Sequence, residues 1–251
     1  YLTPIKALTV PLSIDISQVG MQSGDFSSGE VGNALDPYLE QIANEMIQYC
    51  AGRKTVVFLP LVKTSQKFTE ILNSKGFHAA EVNGNSEDRE EVLREFDKGK
   101  YNVLCNSMLL TEGWDCPSVD CVIVLRPTKV RALYSQMVGR GTRLYPGKEE
   151  LLLIDFLWHT ERHELCHPAN LICEDAEVAK KLTKNLEDKA GVAIDLEEAE
   201  KTASEDVVAQ REEALAKQLE EMKRRKKRLV DPLQFEMSIQ AEDLAGYIPP
   251  F

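Results

Sequence analysis

The sequence predicts an α/β protein: a parallel sheet with helices on both faces, followed by a mostly helical arm. Three observations predict it. Short apolar runs and amphipathic stretches alternate between residues 36 and 156, as where crossover helices join parallel strands. The runs are apolar almost throughout, as in strands covered on two faces. Past Cys173 the strand signal stops, and Ala, Glu, Lys and Leu dominate to residue 228.

The elements follow in order. Residues 1–35 hold one apolar alternation, A-L-T-V-P-L-S-I-D-I, then a Gly/Ser-rich stretch through Gly32. They read as a leading strand and linker from a missing N-terminal lobe. Asp36-Pro37 reads as a helix start, with Asp as N-cap and Pro in the first turn. Leu39, Ile42, Met46 and Cys50 continue that helix at helical spacing, and Gly52 ends it. T-V-V-F-L (55–59) is the next strand, and a helix over 64–74 turns Phe68, Ile71 and Leu72 inward. H-A-A-E-V (78–82) is a strand, and Ser86 with Glu87 and Asp88 opens a helix, acids in the first turn suiting its dipole. Y-N-V-L-C (101–105), D-C-V-I-V-L (120–125) and L-L-L-I-D (151–155) complete the strands, with a helix from Val130 to Arg140 between the last two. Residues 36–173 thus read as the main lobe and 174–251 as a helical appendage and tail. In the appendage Val208, Leu215, Met222 and Leu229 stand seven apart and Leu219 adds a second seam position. Charges at 211, 212 and 226 give a coiled coil only weak support. Ligands of parallel sheets bind beyond the carboxyl ends of the strands, so the site is expected there.

The chain has 251 residues and a net charge of −11. That balance argues against a protein coated by nucleic acid but allows a local basic track. No apolar run approaches the ~20 residues that span a membrane, and no signal peptide is visible. The first residue is not Met, and the chain is expected to be part of something longer. Six cysteines without a disulfide-like spacing point to reduced thiols and a cytoplasmic setting.

The most informative stretch is S-Q-M-V-G-R-G-T-R, residues 135–143. On a helix, Gln136, Arg140 and Arg143 would share one face. Gly139 and Gly141 would let a ligand or second domain approach. Two adjacent guanidiniums suit the spread charge of a phosphoryl group in transfer. The competing reading is a surface helix with two solvated arginines.

Three runs together resemble the C-terminal motifs of superfamily two helicases. V-V-F-L-P-L-V-K-T-S looks like motif IV, N-V-L-C-N-S-M-L-L-T-E-G-W-D-C-P like motif V, and Q-M-V-G-R-G-T-R like motif VI. They occur in order, each after an expected strand. R-P-T-K before motif VI, and Y-P-G-K with L-L-L-I-D-F after it, look most like motor subunits of type I and type III restriction enzymes. The resemblance covers roughly residues 36–156 and implies the second RecA-like lobe of an ATP-dependent motor of bacterial or phage origin.

The resemblance implies roles. Arg140 and Arg143 would be arginine fingers, and Gln136 would orient the site. Gly113 and Gly139 would let the backbone approach the nucleotide, and Asp115 would accept hydrogen bonds from ribose hydroxyls. Ser107, Lys63 and Thr64 would hold nucleic-acid phosphates, and Trp114 would pack in the core or beside adenine. For Asp115 the other reading is a turn-stabilising Asp, and for Lys63 and Thr64 it is capping of the next helix. ATP and Mg2+ are the implied cofactors. These residues hold no G-x-x-x-x-G-K-[ST] loop and no D-E-x-[DH] box, so the magnesium ligands are expected in the N-terminal lobe and the chain alone is expected not to hydrolyse ATP. DNA is the preferred partner, RNA a possible one. Other implied partners are the N-terminal lobe of the same protein and a protein bound by the arm; no membrane is involved. The alternative is a non-catalytic nucleic-acid-binding or assembly module. For a nuclease-linked restriction subunit, nothing in 174–251 resembles an acid–lysine nuclease site.

His159, His163, Cys166 and Cys173 collect metal-capable side chains, His159 and His163 at a spacing that would chelate zinc on a helix. Without paired C-x₂-C knuckles, a surface turn after the last strand is preferred, and no metal is assigned. K-R-R-K-K-R (223–228) is read as a solvated face rather than a phosphate-binding patch.

Overall fold

The computed structural model describes residues 2–107, 114–160 and 165–228, with side chains to 224 in the last segment. Each of the five expected apolar runs forms a strand: β4 (Thr55–Phe58), β5 (Ala79–Val82), β6 (Val103–Asn106), β7 (Cys121–Val124) and β8 (Leu151–His159). Two more join them, β1 (Ile5–Asp15) and β9 (Ala193–Asp195), in the order β5-β6-β4-β7-β8-β1-β9. All pairings among the first six are parallel, and only β9 runs antiparallel, to β1.

Alternation along the buried strands divides the core into two layers. On one face Val57, Cys105, Ile123 and Ile154 meet α1 (Ser28–Leu35), α2 (Leu39–Tyr49) and α3 (Val62–Ser74) through Val31, Ile42, Met46, Phe68 and Leu72. On the other, Val56, Phe58, Leu104 and Val122 meet α4 (Arg89–Asp97) and α5 (Arg131–Gly139) through Phe96, Tyr134 and Met137. A third cluster joins Ala7 of β1 to α6 (Ala169–Ile172), α7 (Ala176–Asp188) and the start of α8 (Leu196–Arg228). This is the RecA-like architecture that the resemblance implies.

Several expectations change. In residues 1–35 the apolar alternation forms a strand as expected, but β1 lies inside the sheet, and the Gly/Ser-rich stretch is no plain linker: it folds into the hairpin β2 (Met21–Gln22)–β3 (Asp25–Phe26) and then α1. The fold uses them because Val10, Ile14, Phe26, Val31 and Leu35 supply core surface. Asp36 is not an N-cap. Helix α1 runs into a 3-10 turn over Asp36–Tyr38 and on into α2, and the Asp36 carboxylate pairs with Lys67 at 2.6 Å instead. Ser86 lies in the turn before α4, its hydroxyl accepting from the Asn83 N–H, and Asp88 stands at that helix's N-cap. Strand β9 appears where no strand signal was read; three residues carry too little pattern to see, and pairing with β1 makes the strand. Helix α8 is single and long, and within it Val208, Leu215, Leu219 and Met222 are exposed.

Candidate functional site

The sheet's two ends carry different chemistry. At the amino-terminal ends of the parallel strands, Asp120, just before β7, accepts from the Lys54 N–H just before β4 at 2.8 Å. Leu151, opening β8, donates to Pro4 O just before β1 at 2.8 Å. Thr3 closes the same end, donating its N–H to Thr142 O and its hydroxyl to Arg143 O, both at 2.8 Å. The motif VI turn therefore sits at the amino-terminal rim. The expectation of a site beyond the carboxyl ends is wrong for the arginines, because α5 leaves the carboxyl end of β7 and travels back along the sheet before they occur.

Gln136, Arg140 and Arg143 do not share one helical face. Helix α5 ends at Gly139, Arg140 is its C-cap, and Arg143 lies in the following turn. Gly141 explains the break: a Cβ there would overlap the side chain of Leu151 and lie 2.9 Å from Val122 Cγ2, so the chain presses onto the sheet only because it lacks one. Gly139 faces open space, so only it has the freedom expected of both glycines. Gln136 is exposed on α5.

The two guanidiniums nevertheless converge on one segment. Arg140 Nη1 donates to Trp114 O at 2.5 Å, and Arg143 Nε lies 3.5 Å from Asp115 Oδ1. Both Arg143 and Asp115 are more than half exposed. Asp115 thus faces an arginine. Trp114 is buried against Phe96, ring centroids 6.0 Å apart, which settles it as core. Gly113 lies outside the described residues.

At the carboxyl-terminal rim the groups that end β6 are neutral and buried. Ser107 follows β6, is 9 % exposed, and its buried hydroxyl has no hydrogen-bond partner among the described residues. Beside it Asn106 donates Nδ2 to Val57 O at 3.1 Å and leaves Oδ1 buried and unmatched. Asn106 was missed in the sequence although it lies in the same motif. Lys63, in the first turn of α3, is exposed. Thr64 is 5 % exposed, and a Cβ on Gly32 would lie 3.1 Å from its hydroxyl; it faces α1, so of the two only Lys63 reaches solvent. Neither caps α3.

Residues 38–145 match the family described as the helicase conserved C-terminal domain. Over that stretch the chain is similar to the C-terminal domain of helicases. A protein of Lactococcus phage (isolate 7-9), named only by its 51.5 kDa mass, is 29 % identical over 167 residues, 65 % of this chain and 36 % of the relative. A Schizosaccharomyces pombe protein provisionally named a mitochondrial ATP-dependent helicase is 38 % identical over 119 residues, 46 % of this chain and 20 % of the relative. The fold resembles a fragment provisionally assigned as the HsdR subunit of a type I restriction enzyme from Vibrio vulnificus YJ016, with a TM-score of 0.50 and 24 % identity over 62 % of this chain and 32 % of that one. The chain therefore spans about a third or less of the length of these proteins.

The structure describes the histidine–cysteine array only in part. His159 ends strand β8, and His163 lies outside the described residues. All six cysteines are free thiols. His167 turns to Asp155, Nδ1 to Oδ2 at 3.2 Å. Burial pulls its pKa down, but the Asp155 hydrogen bond and charge, with Glu187, outweigh that and raise it. Among the described residues no helix is long and apolar enough to cross a membrane.

Proposed function

We propose that this chain is the C-terminal motor lobe of an ATP-dependent helicase or translocase that moves along DNA. The observation that carries the reading is the convergence of Arg140 and Arg143 on the Trp114–Asp115 segment at the amino-terminal rim. The N-terminal lobe of the same protein binds ATP and Mg2+ and faces that rim. When the cleft closes, Arg140 exchanges the Trp114 carbonyl for a γ-phosphoryl oxygen. Arg143 moves with it, and each stabilises charge that grows in the transition state. Asp115, released from Arg143, accepts from ribose hydroxyls, and Gly139 keeps the approach open. Gln136 links this rim to the nucleic-acid side.

The opposite rim holds the strand. Ser107 offers a hydroxyl that can donate to a phosphate oxygen, and Lys63 offers charge; such contacts position a backbone and read no sequence. DNA is preferred over RNA because the chain's motifs resemble restriction-type motors. The arm past residue 174 contributes a protein-binding helix.

The test is ATP turnover by the full-length protein with and without DNA. Arg140→Ala and Arg143→Ala should each lower kcat by about 10³-fold or more, the scale of an arginine finger, while DNA affinity stays within about twofold. Turnover at the parental rate in both variants would leave the lobe as a non-catalytic binding module.

A further inference from the structure

Beside the arginines lies the Y-P-G-K run, which the sequence reading quoted without giving Lys148 a role. Tyr145-Pro146-Gly147-Lys148 forms a turn closed by Lys148 N–H to Tyr145 O at 3.1 Å. Pro146 sits at its second position, and Gly147 takes φ +82° at its third, where a type II turn requires a left-handed residue. The turn directs the Lys148 side chain back under the rim. There its ammonium donates to three main-chain carbonyls: Gly141 at 2.5 Å, Arg143 at 2.9 Å and Pro117 at 3.3 Å.

Those carbonyls belong to two separate stretches. Gly141 and Arg143 flank the motif VI turn, and Pro117 lies two residues past Asp115. An ammonium has three N–H donors, one for each carbonyl. We propose that Lys148 is a positioning residue for ATP hydrolysis: it ties the arginine-bearing turn to the Asp115 segment, so that both meet the nucleotide as one rigid unit. This rests on the arginine reading above. The side chain is partly buried, and burial lowers its pKa against the opposing pull of Asp120 and Cys116. Holding a cation there carries a desolvation cost, which the three carbonyls offset. A lysine needed only for solubility would point outward.

The experiment compares Lys148→Met and Lys148→Arg with the parent in the full-length protein. The first readout needs no nucleotide: amide hydrogen exchange of residues 140–147 and 114–119. Lys148→Met should speed exchange in both stretches about tenfold or more while leaving β4–β8 protected. The second readout is kinetic. Lys148→Met should lower kcat about tenfold or more with KM for ATP changed less than threefold. Lys148→Arg keeps the charge, but its flat fork cannot converge on three carbonyls, so it should recover only part of the rate. Where Lys148→Met melts below the assay temperature, Lys148→Gln replaces it, with at least a threefold loss expected.

Parental exchange and parental kcat in Lys148→Met, or in Lys148→Gln where it is used, overturn the proposal. So does a general loss of protection across the strands, which would make Lys148 a stabiliser of the whole lobe. Arg140→Ala separates the two claims. If it is crippled and the Lys148 variants are not, only the positioning role falls. If Arg140→Ala is fully active, the arginine reading falls and this one with it.

Discussion

The two rims of the sheet differ in how their polar groups are held. At the amino-terminal rim the groups are charged and already paired: Arg140 with a carbonyl, Arg143 with Asp115. At the carboxyl-terminal rim the central groups are neutral and buried, and Ser107 Oγ and Asn106 Oδ1 lack partners among the described residues. Arg143, held by an exposed carboxylate, exchanges its partner readily, since such surface pairs are worth only ~0–1 kcal/mol. A buried oxygen without a partner leaves a desolvation cost of ~1–3 kcal/mol standing until something supplies one. The first rim suits a charge delivered late in a reaction, the second a ligand held throughout.

The strongest way to break this contrast is Arg140→Ala. It should lower kcat about 10³-fold or more and leave DNA affinity within about twofold; a matching fall in affinity would merge the two rims into one site. Next is the glycine pair in motif VI. Gly141→Ala should cost about 1–3 kcal/mol by overpacking against Leu151 and Val122 and slow turnover as the arginines shift. Gly139→Ala, with open space around it, should leave denaturant midpoint and turnover near the parent. Equal effects would mean that the turn is not pressed on the sheet.

On the other rim, Ser107→Ala should weaken DNA binding by about threefold to tenfold, the net worth of a hydrogen bond, with kcat at saturating DNA unchanged. A change in kcat alone would move Ser107 to the nucleotide side. Lys63→Ala should flatten the plot of log affinity against log salt by about 0.7–0.9, and an unaltered slope would remove Lys63 from the phosphate track. The smallest effect lies outside both rims. His167 has a raised pKa in the fold, so its contribution to stability is complete below about pH 6.5, its unfolded value, and fades as pH rises through the raised value. The melting-temperature gap between parent and His167→Gln should accordingly be wider at pH 6 than at pH 9; a gap independent of pH would deny the charged pair with Asp155.

Much of this was legible in the chain. The five apolar runs became β4 to β8 because strands covered on both faces need nothing but apolar residues, and that pattern is local. Motif order located Arg140, Arg143 and Asp115, which the structure brings to one segment. The rest depends on contacts between distant residues. Nothing near Ala193 marks a strand until β1 lies beside it. The helix through Gln136 looked longer than it is because Gly141 reveals its purpose only against Leu151. The wrong rim was expected for the arginines because the carboxyl-end rule concerns loops that follow strands, whereas these residues follow a helix that has recrossed the sheet. The Y-P-G-K run was quoted, but no role for Lys148 was read because its partners are backbone carbonyls, which leave no mark in a sequence.

The central claim is that the nucleotide meets the amino-terminal rim and nucleic acid the other. An ATP analogue with a photo-crosslinker on its γ-phosphate, bound to the full-length protein and mapped by peptide mass, tests this directly. The account predicts labelled peptides from 114–119 and 140–147 within this lobe. Label concentrated instead at 60–65 and 103–107 would contradict it.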